Sequence, residues 1–170
     1  MHTLENTMLI VENISTGYGK KQVLFDVSFE VKRSEIVLLA GSNGSGKSTL
    51  LKAICGVLPK WNNGQIIFDG ENITGKPTAE VLKRGLLYIP QKNNLFEDLT
   101  VKENLEMAGL TIDLRILKHR IKNTLLIFNS LAPHLNRTPM KLSGGERQLL
   151  TLAMASLHQP KMILLDEPLT

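Results

Sequence analysis

Gly41-Ser42-Asn43-Gly44-Ser45-Gly46-Lys47-Ser48 is the stretch of sequence that decides the fold. It matches the pattern G-x-x-x-x-G-K-[ST] and follows an apolar segment, Ile36 to Ala40, which predicts a strand buried on both faces. The segment from Lys47 to Leu58 predicts a helix that Pro59 ends. Glycines allow a tight turn whose backbone N–H groups point at an anion, and the helix dipole adds to that attraction. The stretch therefore predicts a strand–loop–helix unit that binds phosphate.

The side chains of this loop have separate expected tasks. Lys47 would bridge the β- and γ-phosphates of a nucleotide, and Ser48 would place its hydroxyl on Mg²⁺. We therefore expect ATP or GTP as the ligand. The expected nucleotide contacts are Gly41, Ser42, Asn43, Gly44, Ser45, Gly46, Lys47, Ser48 and Thr49.

A second apolar segment, Met162 to Leu165, ends in two carboxylates, Asp166 and Glu167. Buried acids need water, a metal ion or a partner. At the carboxyl end of a central strand, Asp166 can hold Mg²⁺ through its water shell. Because side chains alternate along a strand, Glu167 points to the opposite face and could polarise a water in line with the γ-phosphate. A solvated turn is the ordinary alternative, and the phosphate loop favours the functional interpretation.

The segment Leu142-Ser143-Gly144-Gly145-Glu146 predicts a helix start with unusual glycines. Ser143 and Glu146 have the spacing of a capping box. Each glycine costs about 1 kcal/mol relative to alanine in a helix, so a capped helix has no need of two. The pair therefore favours close approach of an anion such as a phosphate to the exposed backbone N–H groups.

The remaining pattern places strands towards both ends of the chain and helices between them. Strands are expected at 9–14, 27–32, 64–70, 86–89 and 162–166, and helices at 113–131 and 143–157. A further helix is expected to start at Thr100, which has capping-box spacing with Glu103. This order suggests one α/β domain, 1–170, with a core of about 1–92 and 142–170 and a helical subdomain of about 93–141.

Composition narrows the class of protein. The chain is 42% hydrophobic and 21% charged, as in ordinary globular proteins, and its apolar runs are too short to span a membrane. The net charge of +4 fits a polyphosphate ligand, and no dense Lys/Arg window indicates nucleic acid, so no nucleic-acid partner is expected. The single cysteine, Cys55, cannot form an internal disulfide, which fits a reducing cytoplasm.

Leu142 to Glu146 resembles the signature sequence of ATP-binding-cassette (ABC) proteins, and the likeness extends along the whole chain in the right order. Tyr18 resembles the family's aromatic residue that stacks on adenine. Gln91, after Tyr88-Ile89-Pro90, resembles the glutamine whose loop links Mg²⁺ to the membrane partner. The resemblance implies a P-loop NTPase core, a mixed sheet flanked by helices, with an antiparallel β subdomain and an inserted helical subdomain.

The resemblance also implies a mechanism. Two such domains pair head to tail, and each ATP lies between the phosphate loop of one chain and the signature of the other. Ser143, Gly144 and Gly145 would then contact ATP on a second ATP-binding subunit. Hydrolysis of Mg-ATP would drive transmembrane permease subunits, with this chain in the cytoplasm, peripheral on the inner face of the cell membrane. The implied catalytic residues are Glu167, Lys47 and Gln91, and the implied metal-binding residues are Ser48, Gln91 and Asp166.

Within the family, three segments are similar to the branched-chain amino-acid import group: Asp69 to Gly75, Leu86 to Gln91, and Phe96 to Leu105. We therefore expect the ATPase subunit of an importer. One alternative is a non-transport cassette ATPase of DNA repair or translation. The 52 positions from Gln91 to Ser143 (143 − 91) are too few for a long coiled-coil insertion, which counts against the repair class.

A second alternative is a nucleotide-binding fragment without turnover. A full cassette of this family continues past the acidic strand with an aspartate loop and a strand that bears a histidine. The four histidines of this chain precede that point, and the sequence stops at Thr170. We therefore expect a C-terminally incomplete cassette that binds ATP and hydrolyses it poorly.

Overall fold

The computed structural model describes residues 6–60, 63–92 and 94–166. These residues form two compact units, the first made of 6–60, 63–88 and 162–166 and the second of 89–92 and 94–161. No helix among them is long and apolar enough to cross a membrane. In chain order the elements are β1 (Thr7–Tyr18), β2 (Lys21–Lys32), α1 (Lys47–Ile54), β3 (Gln65–Phe68), β4 (Glu71–Asn72), α2 (Thr78–Lys83), β5 (Leu86–Ile89), α3 (Val101–Ala108), α4 (Leu114–Ile127), 3₁₀ turns at Asn129–His134 and Pro139–Lys141, α5 (Gly144–Ser156) and β6 (Met162–Leu165).

The first unit contains an antiparallel sheet in the order β2-β1-β3-β4. The strands expected at 9–14 and 27–32 are both longer than predicted, because β1 and β2 continue to a two-residue turn at Gly19 and Lys20. Tyr18, the last residue of β1, pairs with Lys21 across that turn. This sheet is the expected antiparallel β subdomain, and β5 pairs with β6 in a separate two-stranded sheet.

A hydrophobic core fixes α1 in the first unit. Leu9 and Ile14 of β1, Phe68 of β3 and Ile54 of α1 are at most 1% exposed and belong to one cluster. Burial of each such side chain stabilises the fold by about 1.5–3 kcal/mol. Since α1 follows the phosphate loop directly, this packing also fixes the end of that loop.

The strand predicted at Ile36 to Ala40 is absent, and the prediction is wrong. Residues 35–42 have no regular secondary structure. Ile36 is 99% exposed and Leu38 is 87% exposed, so the apolar run is not buried on both faces. No strand within the described ranges pairs with this segment, and a strand forms only where a neighbour supplies the ladder of hydrogen bonds. An apolar run favours burial of a segment, but it does not supply the neighbouring strand with which the segment would pair.

The second unit is helical and has its own core. Leu105 of α3, Leu117 of α4, and Leu150 and Leu157, in and directly after α5, are buried in one cluster. The helix starts are as predicted, with Thr100 capping α3 in a full capping box. The expected helix at 113–131 is divided, because α4 ends at Ile127 and a 3₁₀ turn containing Pro133 follows.

The boundary of the helical part differs from the expected 93–141. Residues 142–161 group with α3 and α4 in the second unit. Leu142, Leu150, Ala153 and Leu157 complete the core that α3 and α4 begin, so α5 is held there by apolar packing. The six-residue helix α2 was not expected at all, since a segment that short carries little periodicity.

Candidate nucleotide-binding site

The phosphate loop requires glycine at Gly46 and leaves little room for a side chain at Gly41. Gly46 is the N-cap of α1 with φ +97°, and a Cβ there would lie 2.8 Å from Leu24 Cδ2. A Cβ on Gly41 would lie 2.6 Å from the hydroxyl of Ser45. Because no side chain caps α1, the N–H groups of its first turn are left for another acceptor. An approaching anion satisfies them and gains from the helix dipole.

Lys47 is turned back onto the loop that precedes it. Its Nζ donates hydrogen bonds to the carbonyl oxygens of Gly41 at 2.8 Å and Ser42 at 3.1 Å. These bonds hold the positive charge against the exposed residues 41–45. The loop therefore combines open backbone donors with a cation, the two features that a phosphate-binding site needs.

The acidic strand end reaches the phosphate loop. Ser48 Oγ donates to Asp166 Oδ1 at 2.8 Å, across 118 positions of sequence, and Asp166 is only 7% exposed. Tyr88, on the neighbouring strand β5, donates its hydroxyl to Asp166 Oδ2 at 3.0 Å. Burial first, and then the hydrogen bond to Asp166, raise the pKa of Tyr88 well above its ordinary value, so the hydroxyl stays protonated and able to donate.

The hydroxyl of Ser48 and the carboxylate of Asp166 fit Mg²⁺, which prefers hard oxygen ligands. Within residues 6–60, 63–92 and 94–166, no group of three or more His, Cys, Asp or Glu side chains could hold a metal ion. A site with so few protein ligands is the kind that magnesium occupies together with substrate phosphates and water. The donor set therefore suits magnesium that arrives with a nucleotide.

The start of α5 is a capping box, as predicted. Ser143 Oγ accepts from the backbone N–H of Glu146 at 3.3 Å, and the Ser143 N–H donates to Glu146 Oε2 at 2.7 Å. That backbone hydrogen bond is the main cause of the lowered pKa of Glu146. His134 Nε2 lies 2.9 Å from Glu146 Oε1, so a third side chain of the second unit contacts the capping box.

Nothing in residues 6–60, 63–92 and 94–166 requires glycine at these two positions. Among those residues, a Cβ built on Gly144 or Gly145 meets no heavy atom within 4 Å, and both glycines lie in regular helix. Alanine would fit at both positions and would favour the helix. An ordinary capped helix therefore leaves the glycines unexplained, whereas contact with something outside the chain explains them.

The other predicted site residues have the following positions. Tyr18 is 46% exposed at the end of β1, so its ring is open to a planar ligand. Gln91 is exposed and belongs, like Ser143, to the second unit. Thr49 is buried in α1, and Glu167 lies outside the described residues.

Two side chains at these sites were missed by sequence reasoning. Tyr88 was read only as part of a motif, although it contacts Asp166, and His134 was not connected with Glu146. No local pattern identifies either contact. Both depend on which segments pack together, and a single sequence does not state that.

A glycine-rich loop that opens a helix, with an acidic strand end bonded to its serine, defines a nucleotide-binding protein of the P-loop class. The sequence pattern of the family described as ABC transporter matches residues 24–170, and the chain belongs to this family. The expected fold class, with its P-loop NTPase core, is confirmed by the solved structures that it resembles. The chain is an ATP-binding subunit of the ABC transporter type and an ATPase.

Two curated relatives have names that refer to branched-chain amino acids. The high-affinity branched-chain amino acid transport ATP-binding protein BraG of Pseudomonas aeruginosa is 40% identical over 161 residues, covering 95% of this chain and 69% of BraG. The probable branched-chain amino acid transport ATP-binding protein LivF of Archaeoglobus fulgidus is 42% identical over 161 residues, covering 95% of this chain and 68% of LivF. Other relatives are named for lipopolysaccharide export or for sulfate import.

Among solved structures, the nucleotide-free ATP-binding cassette of an ABC transporter superposes with a TM-score of 0.85. It is 30% identical to this chain, and the match covers 96% of this chain and 70% of that cassette.

Proposed function

We propose that this chain hydrolyses Mg-ATP at an interface with a second ATP-binding subunit, and so energises solute import through transmembrane permease subunits. The observation that carries the proposal is the hydrogen bond between Ser48 of the phosphate loop and Asp166 at the end of β6. It joins the residue expected to bind nucleotide-bound metal to the acid expected to hold the same metal. Either residue alone could belong to an ordinary turn, but together their oxygen atoms would suit a magnesium ion.

Each residue of the site then has a task in phosphoryl transfer. Lys47 would leave the carbonyl groups of its own loop and neutralise the β- and γ-phosphates. Ser48, Asp166 and Gln91 are the residues proposed to hold Mg²⁺. Magnesium supplies neutralisation of the charge that develops on the phosphate oxygens. Glu167 would orient and polarise the attacking water as general base.

The remaining contacts fix the nucleotide. The exposed ring of Tyr18 would stack on adenine. Backbone N–H groups of the loop would bind phosphate oxygens. The residues proposed to contact the nucleotide in this way are Gly41, Ser42, Asn43, Gly44, Ser45 and Gly46, together with Thr49 in α1. Binding of ATP therefore uses the whole segment between residues 41 and 49.

The second subunit is proposed from the start of α5. Ser143, Gly144 and Gly145 would contact ATP held by the phosphate loop of the partner, in a head-to-tail pair with two nucleotides. Support comes from the open space at both glycine Cβ positions. Without side chains there, the N–H groups of the first turn are accessible to a phosphate on another molecule.

The solute is proposed to be an amino acid, and the chain to be peripheral on the cytoplasmic face of the membrane. Support comes from the three segments that are similar to branched-chain import cassettes and from the names of BraG and LivF. Deletion of the gene in its native host is expected to lower uptake of labelled leucine and leave sulfate uptake unchanged. Lowered sulfate uptake with normal leucine uptake would refute the amino-acid assignment.

The hydrolytic role is tested by Glu167→Gln. This substitution removes the base but keeps the size of the side chain, so ATP binding is expected to persist while phosphate release falls by about 10²–10⁴-fold. Glu71→Gln is the matched control, because Glu71 is an exposed partner of Arg84 at the surface. Equal turnover in Glu167→Gln and the parent chain would rule out Glu167 as the base.

A further inference from the structure

Tyr88 bonds directly to Asp166, but the proposed roles give it no task. The Asp166 carboxylate is buried, and each of its oxygens accepts a hydrogen bond from a different side chain. Oδ1 accepts from Ser48, and Oδ2 accepts from Tyr88. The two donors reach the carboxylate from different elements, since Ser48 lies in α1 and Tyr88 lies in β5.

Two donors on different oxygens restrict a carboxylate more than one donor does. The terminal torsion of aspartate is broad, so a single hydrogen bond leaves the group free to rotate. A metal site needs the opposite, a carboxylate whose oxygen stays where the ion is bound. Groups that hold a ligand in this way are typically worth 10–100-fold in metal affinity.

We propose that Tyr88 is a positioning residue that holds Oδ2 of Asp166 and so keeps Oδ1 beside Ser48, on the side where magnesium of the bound nucleotide would be held. The inference rests on the proposed Mg-ATP site. It adds a residue outside the phosphate loop and the acidic strand end, and one that acts through Asp166 without touching the nucleotide.

The ring and the hydroxyl of Tyr88 have separable roles. The ring packs against the hydrophobic core of the first unit, and the hydroxyl donates to Asp166. Tyr88→Phe therefore keeps the packing and removes the hydrogen bond. A purely structural tyrosine would lose some stability on this change but would leave the effect of magnesium on nucleotide binding as it was.

The test compares ATP affinity in Mg²⁺ with ATP affinity in EDTA, for the parent chain and for Tyr88→Phe. The ratio of the two affinities is expected to fall about tenfold in Tyr88→Phe, with the affinity in EDTA unchanged. Thr124→Val is the control, because it removes a part-buried hydroxyl that bonds to Ser156 in the second unit. It is expected to keep the parental ratio.

A second measurement does not depend on whether Tyr88→Phe folds. The chain has only two tyrosines, so labelling with 3-fluorotyrosine gives two ¹⁹F resonances, and Tyr18→Phe assigns them. The Tyr88 resonance is expected to shift when Mg²⁺ is added to the ATP complex.

An unchanged affinity ratio in Tyr88→Phe, or a Tyr88 resonance that does not shift when Mg²⁺ is added, would overturn the positioning role and leave the proposed function intact. Failure of the parent chain to bind Mg-ATP would overturn both.

Discussion

Replacing Gly144 and Gly145 by alanine separates the stability of α5 from its proposed contact with a partner. Both positions are helical, and a Cβ at either would meet no heavy atom of the described residues within 4 Å. A glycine-to-alanine change at such a site stabilises a protein by about 0.4–1 kcal/mol, mostly by restricting the unfolded chain. The double variant should therefore gain roughly 1–2 kcal/mol, or a few degrees in Tm for a chain of this size.

The same methyl groups should damage function. They would stand over the backbone N–H groups that are proposed to meet a phosphate on the partner. Sedimentation velocity with Mg-ATP is expected to show at least tenfold weaker pairing than in the parent chain, a change of about 1.4 kcal/mol. Urea unfolding of the same preparation gives the stability, so both effects are read from one protein.

A matched control is Asn123→Ala at an exposed position of α4, which improves helix propensity and removes an exposed hydrogen bond to His119. It should be as stable as the parent chain or slightly more so, and should pair normally. Two results would refute the reasoning. Loss of stability in the double variant would mean that the first turn of α5 cannot take alanine. Normal pairing would mean that nothing approaches the glycines.

Three further predictions concern stability. Gly56→Ala should lower the free energy of unfolding in urea by about 2–5 kcal/mol, because φ is +73° and the new Cβ would lie 2.2 Å from the Lys76 carbonyl oxygen. Gly75→Ala, at φ +69° with open space around the Cβ, should lower it by only about 1–2 kcal/mol. Equal losses in the two variants would contradict the steric argument. Thr100→Ala removes the N-cap of α3 and should lower the free energy of unfolding by about 1 kcal/mol in the same assay. An unchanged stability would mean that the capping box does not stabilise the protein. The pKa of Glu146 is lowered from its ordinary value of 4.5, so the stability that its carboxylate contributes is present above pH 4.5 and is lost as the pH falls through the lowered pKa. The difference in Tm between the parent chain and Glu146→Gln should therefore be largest near neutral pH and should disappear in acid. A difference that grows in acid would contradict this prediction.

Sequence reasoning succeeded where the cause of a structure is local. The caps at Thr100 and Ser143 follow from side chains that bond three residues away, and the structure has both boxes. The phosphate loop is also local, because its glycines and Lys47 act on neighbouring backbone. Strand β6 was found from its apolar run, and its bounds differ from the prediction by one residue.

Sequence reasoning failed where the cause is a neighbour. Ile36 to Ala40 has a strand composition but no pairing strand among the described residues, so composition alone misled. The bond from Tyr88 to Asp166 depends on β5 lying beside β6, and the division of the chain depends on which core α5 joins. Each of these features depends on packing between segments that are distant in the sequence, and a pattern within one segment does not predict that packing.

The measurement that tests the central claim most directly is a calorimetric titration of the folded chain with Mg-ATP, beside Lys47→Ala. Lys47 is half-exposed and bonds only to its own loop in this structure, so its removal should leave the fold intact, as circular dichroism would verify. We expect saturable binding by the parent chain and an affinity about 10–100-fold weaker in Lys47→Ala, because a charged hydrogen bond is lost. Equal affinity in the two folded proteins, or no binding by a folded parent chain, would contradict a nucleotide site on the loop from Gly41 to Ser48.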